Sequence, residues 1–292
     1  MPKLPIGRDL PRGNVFRMIL ITGATGTIGS HLVRLLASRG EPFRAMSRTG
    51  GDVQADFDDP ASLKRAVSGV DAVFLLTAPS SPSARHDLAL LNAAKSAGVS
   101  RVVKLSAIGS GEKFGDEVVG AWHLAAEEAV RDSGMAWTVL RPSSFASNFL
   151  RFAGAITAGE LIPNLTGSGR QGIVDPRDVA AAAAEALINP IHSGQTYTLT
   201  GPELLGVPDQ ADVLSRVLDR PIRTVDLSRD TVREQLLKSG MDSVAADAVV
   251  IGSTWAREGH SAVLTDDVAH LLGRPAGSFA SWAHDHRAAF RL

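Results

Sequence analysis

The stretch RMILITGATGTIGSHLVRLLASRG, residues 17–40, decides the fold class. Met18, Ile19, Leu20 and Ile21 form an apolar run that reads as a strand buried on both faces of a parallel sheet. Gly23, Gly26 and Gly29 follow at a spacing of three, and Ile28, Leu32, Leu35 and Leu36 then lie on one helical stripe that ends at Gly40. The glycines have separate tasks. Gly23 permits a tight turn, Gly26 lets the backbone approach a pyrophosphate with no Cβ between them, and Gly29 lets helix and strand pack closely. Phosphates would rest on the free N–H groups at the helix N-terminus, where the helix dipole favours negative charge. A glycine triplet is a weak signal alone. It gains weight here from lying between a strand and a helix, and the stretch therefore predicts a dinucleotide site.

Outward from this unit, strands and helices alternate. Pro42–Ser47 reads as a second strand whose end carries Arg48, 19 residues after Gly29. Ligands of doubly wound sheets lie outside the carboxyl ends of the strands, so a basic residue there meets the adenosine ribose, where an acidic one would select NAD. NADP(H) is the expected cofactor. Arg44, near the start of the strand, reads as an ordinary solvated arginine. A short third strand closes at Asp56 and Phe57, and Phe57 is either a stacking partner for adenine or a core aromatic. Asp59 and Pro60 open a helix through Val67. Further strands are expected at Asp71–Thr77, Arg101–Ala107 (tipped by Ser106) and Trp137–Arg141, with helices from Ser83 to Ala97 and from Glu117 to about Ser133. Short connections and no hairpin signals make the sheet parallel.

Three regions result: a flexible extension over 1–16, a Rossmann-type α/β dinucleotide domain over 17–143, and a smaller, mostly helical substrate lobe over 144–292, with segments near 170–200 returning to the sheet. Phe145, Phe149 and Phe152 suit a core or pocket wall, and Asp175, Pro176 and Asp178 start a helix through an alanine run. The 292 residues are 44% hydrophobic, ample for a core. With 30 basic against 31 acidic residues, net charge −1, the chain has no electrostatic footprint for nucleic acid or an anionic membrane. The absence of cysteine excludes disulfides, thiol catalysis and cysteine metal sites. No apolar run approaches membrane-spanning length, and the chain reads as a soluble cytoplasmic protein acting on a small molecule. Nothing in the pattern sets an oligomeric state.

The segments ITGATGTIG, MSR (46–48), HLAAEEAVRDSGMAWTVLRPSSFASN, VDPRDVA and YTLTGPE resemble, in order and spacing, the NmrA-like branch of the atypical short-chain dehydrogenases, over roughly residues 17–290. That family combines a Rossmann-type NAD(P) domain with a C-terminal lobe over the nicotinamide end. Its members include quinone and triphenylmethane dye reductases, isoflavone-type reductases and non-catalytic dinucleotide sensors. By position, the resemblance implies that Gly23, Thr25, Gly26, Thr27 and Ile28 hold the pyrophosphate and Arg48 the ribose phosphate. It also implies Asp56 and Phe57 at adenine, and Thr77, Ala78 and Ser106 along the ribose and nicotinamide.

The departures narrow the chemistry. Ordinary short-chain dehydrogenases use Tyr with Lys four residues on, whereas the single tyrosine here, Tyr197, has Gly201 at that offset. Isoflavone-type reductases place a catalytic Lys where this chain has His123. His123 and Glu127 share a helix face, which suggests an imidazole held by a carboxylate as a proton relay near neutral pH, against the alternative of a packing histidine. The leading expectation is an NADPH-dependent reductase of a flat, apolar, carbonyl or quinone-like substrate. The alternatives are a non-catalytic NADP(H) sensor and a non-redox cyclase or isomerase on the same fold. No metal is expected: His284 and His286, two apart on a helix, point away from each other.

Overall fold

The structure is a computed structural model in which residues 18–77 and 80–291 are described. Seven parallel strands form the central sheet: β1 (Ile19–Ile21), β2 (Phe43–Ser47), β3 (Val53–Gln54), β4 (Ala72–Leu75), β5 (Arg101–Leu105), β6 (Ala136–Pro142) and β7 (Gln195–Leu199). Their spatial order is β7-β6-β5-β4-β1-β2-β3, so the connection reverses between β1 and β4. That reversal opens a crevice at the carboxyl edge. Thr22, just past β1, spans it: its hydroxyl donates to the carbonyls of Phe74 and Leu76 and accepts from the Leu76 amide.

Alternation along the strands builds a core on each face. Ile19, Ile21, Phe74, Val103 and Leu140 face α1 (Thr27–Arg39) and the helix Pro176–Ile188. Leu20, Val73, Leu75, Val102 and Val139 face α2 (Pro60–Val67), α3 (Arg85–Ser96) and α4 (Ala121–Arg131). The alanine run does more than favour a helix: Ala180, Ala182, Ala183 and Ala184 are fully buried, and their small side chains let that helix lie close on α1 and the sheet. Asp59 and Asp175 cap their helices through bonds to the Ala61 and Arg177 amides, each with proline in the first turn. A third apolar cluster, including Phe149, Phe152, Leu214, Phe279 and Trp282, forms the centre of the lobe.

Three local expectations change. The helix expected from Glu117 starts only at Ala121, because Gly120 has φ +57° and no right-handed helix runs back through it. Before it, Lys113–Phe114 and Glu117–Val118 pair antiparallel around Gly115, at φ +61°, so a hairpin does occur. The third strand ends at Gln54; Asp56 instead accepts the Asp58 amide in a turn. Apart from the central sheet, Thr224–Asp226 pairs in parallel with Ile162–Asn164 as a separate two-stranded sheet.

Candidate active site

At the head of α1 the three glycines differ in what surrounds them. Gly23 has φ +63°, the left-handed conformation that its turn requires. A Cβ on Gly29 would lie 2.1 Å from the Gly23 carbonyl oxygen, so this glycine is a helix–turn contact. A Cβ on Gly26 would meet only that same oxygen, at 3.3 Å, and otherwise faces open space. Thr25, Gly26 and Thr27 are exposed, while the Ile28 side chain is buried in the core beneath them. No side chain caps α1 and no acidic residue occupies its first turn. Free amides, a positive helix end and open space together fit a dinucleotide pyrophosphate.

Arg48 stands exposed beyond β2, with no hydrogen bond or ion pair among the described residues. Arg44 is not simply solvated: its guanidinium donates to the carbonyls of Ala66 and Ser68, at 2.8 and 2.9 Å, and closes the end of α2. Asp56 is exposed in its turn, and its amide donates to the Ser62 hydroxyl. The Phe57 ring stacks on His86, centroids 5.1 Å apart, with the His86 Nε2 3.3 Å from Asp58. Ala78 lies outside the described residues.

Beneath the carboxyl ends of β4 and β5 is a buried polar layer that the sequence reading largely missed. Thr77 donates to Asp87 at 2.7 Å, and the other Asp87 oxygen lies 2.6 Å from the Lys104 ammonium, with both charged side chains buried to within 1%. A lysine inside the apolar run RVVKLSA, two residues before Ser106 and so on the same strand face, was the available signal. Ser106 donates to Glu127 Oε1 at 2.6 Å, and Glu127 also accepts from Arg131 and from both donors of an Arg141 fork. Burial alone would raise the Glu127 carboxyl, but hydrogen bonds from Arg141, Ser106 and Arg131 hold it below the ordinary range.

This leaves Glu127 committed, and the expected His123–Glu127 relay does not form. The His123 Nδ1 is buried with no hydrogen-bond partner among the described residues. Burial, reinforced by the Lys104 charge, lowers the imidazole pKa from 6.5 to about 4, so the ring is neutral at pH 7.

His123 and Ser106 line a cavity of about 730 Å³ at the carboxyl ends of β4, β5 and β6. Its walls are mostly apolar: Leu76, Ile108, Trp122 and Phe145 from the sheet side, and Ile251 and Trp255 from the lobe helix Ser243–Arg257. Ser143, just past β6, also lines it, and its buried hydroxyl has no partner among the described residues. Trp255 is fixed by an Nε1 bond to Glu112 at 3.2 Å. The sequence reading had no route to Trp255, which reaches the cavity from more than 100 residues beyond the strands it faces.

The chain belongs to the family described as NAD(P)H-binding, whose model matches residues 23–190. The Streptomyces griseus (4-alkanoyl-5-oxo-2,5-dihydrofuran-3-yl)methyl phosphate reductase is 39% identical to it, over 94% of this chain and 99% of that protein. The NAD(P)H azoreductase of Xenophilus azovorans is 36% identical over 94% and 99% of the two chains. Among solved structures, the Escherichia coli NADPH-dependent quinone oxidoreductase complexed with NADPH superposes with TM-score 0.80 at 25% identity, covering 92% of this chain and 99% of that one. Among the described residues, no helix is long and apolar enough to cross a membrane.

Proposed function

We propose that this chain is an NADPH-dependent reductase of flat, apolar or aromatic acceptors of quinone-like or conjugated carbonyl type. That it is an NAD(P)H-using oxidoreductase of small molecules follows from its family and its relatives. The observation that carries the finer reading is the cavity itself: a mostly apolar slot opening at the strand edge where the α1 N-terminus offers its free amides.

In this reading the pyrophosphate lies over Gly23 and Gly26, whose amide closes the turn on the Gly23 carbonyl at 2.9 Å, and is held by the amides of Thr25, Thr27 and Ile28, while Arg48 grips the ribose phosphate. Asp56 and Phe57 border the adenine, and Thr77 and Ser106 flank the nicotinamide end. Arg48 is unpaired and therefore available, which supports the NADP(H) preference. The bound cofactor supplies a hydride. The protein's own part is to align the acceptor between Trp122 and Trp255 and to exclude water with the apolar walls. His123, held neutral, hydrogen-bonds an acceptor oxygen as charge develops there and does not act as an imidazolium acid. A cytoplasmic setting, where reduced dinucleotide is maintained, completes the proposal.

The test is to mix the protein and NADPH with a panel of quinones, enones and azo compounds and follow absorbance at the reduced-nicotinamide band. Oxidation that depends on both protein and acceptor supports the reading. Tight NADPH binding with no oxidation by any acceptor would overturn it in favour of a dinucleotide sensor.

A further inference from the structure

Resting on the reductase reading, a second property of the cavity narrows the acceptor class. Among the described residues that line it there is no lysine or arginine, while Glu117 and Asp247 both do. The two carboxylates differ. Asp247 is paired with Arg233 through an Nε bond of 2.6 Å, which neutralises it. Glu117 is exposed on the hairpin and its carboxylate has no hydrogen bond or ion pair among the described residues, and the hairpin's own cation, Lys113, stands opposite Val118 and does not line the cavity. Lys104, two residues before the lining Ser106 on β5, is fully buried and taken by Asp87. The aromatic rings of Trp122 and Trp255 in the cavity walls carry no charge that would favour an anion.

We infer that this cavity is a charge filter, which admits neutral and cationic planar acceptors and rejects acceptors bearing phosphate, sulfonate or carboxylate, with Glu117 the specificity-determining residue. An anionic group would enter with no cation to receive it and one uncompensated carboxylate against it. The substrate named for the Streptomyces griseus relative is a phosphate ester, so the filter separates this chain's acceptor class from that relative's.

The test uses three 1,4-naphthoquinones that differ only in one side arm: trimethylammoniomethyl, hydroxymethyl and sulfonatomethyl. Binding is read by tryptophan quenching, since two of the four tryptophans line the cavity, and turnover is read separately by NADPH oxidation. At low ionic strength the sulfonate should bind about tenfold or more weaker than the neutral quinone, and the cation at least as tightly as the neutral one. Added salt should narrow the gap. Glu117→Gln should raise the sulfonate-to-neutral affinity ratio several-fold, a ratio that cancels any general loss of fit. Equal dissociation constants for the three compounds, or a ratio unmoved by Glu117→Gln, would overturn the filter. Charge-ordered binding with no turnover would uphold the filter and overturn the reductase reading instead.

Discussion

Gly26 and Gly29 stand three residues apart in one motif, and the structure expects opposite consequences from substituting them. A Cβ at Gly29 would lie 2.1 Å from the Gly23 carbonyl oxygen and 2.8 Å from the Ala24 Cα, where ordinary contact begins near 3.4 Å. Both obstacles are backbone, so turn and helix must part. Overpacking of this kind costs about 1–3 kcal/mol and sometimes more, and the upper end applies where no side chain can rotate away. Gly29→Ala should therefore lower the apo melting temperature by several degrees. Gly26 has φ −80° and ψ −179°, extended backbone open to any residue, and its added Cβ meets one oxygen at 3.3 Å. Gly26→Val should destabilise the apo protein by only about 1 kcal/mol, through loss of a tolerated helix cap. Its branches would fill the phosphate space. In a thermal-shift assay with NADPH at about 100 times its dissociation constant, the wild type should gain about 2.7 kcal/mol of stability. Gly26→Val should gain almost none. If Gly26→Val keeps the full NADPH shift, the amides of this turn do not hold the pyrophosphate; if Gly29→Ala melts like wild type, the packing argument is wrong.

Other perturbations follow from single residues. Arg48→Ala should weaken NADPH binding by about ten- to a hundredfold, the worth of a charge-assisted contact, and leave NADH nearly unchanged; equal losses for both would refute the phosphate assignment. His123→Ala should slow acceptors that gain charge on oxygen at least tenfold while NADPH affinity holds within about twofold, and equal rates for all acceptors would reduce His123 to packing. The same histidine binds a proton more weakly when folded, about 4 against 6.5, so the unfolded chain takes up more protons between these values. Stability should accordingly fall as pH drops from 6.5 towards about 4, by on the order of 2 kcal/mol after allowance for partial exposure. His123→Phe should flatten that part of the profile, as read by denaturant melts at pH 7 and pH 5. Lys104→Met strands the Asp87 carboxylate and should destabilise by about 3–5 kcal/mol, whereas Lys104→Met with Asp87→Leu should recover most of the loss; additive losses in urea melts would show that the two charges do not depend on each other.

The local elements were legible in the sequence because their causes are local. The run Ile19–Ile21, the glycine spacing, the stripe through Leu32 and Leu36 and the Asp-Pro helix starts each act within a few residues, and together they specified alternating strands and helices and a glycine turn at the head of α1. What stayed hidden depends on residues far apart in the chain. The pairing of Ile162–Asn164 with Thr224–Asp226, and the arrival of Trp255 at the carboxyl edge of the sheet, have no short-range signature. The His123–Glu127 pair shows why spacing alone falls short. Helical periodicity puts the two on one face, but only the packed structure brings Ser106, Arg131 and Arg141 to Glu127 and leaves the imidazole in an apolar setting beside Lys104. Sequence thus determined the elements and their turns, because backbone conformation answers to near neighbours. Tertiary structure decided which polar groups are satisfied, which are free and what charge the cavity presents, because burial and electrostatic partners are set across the fold.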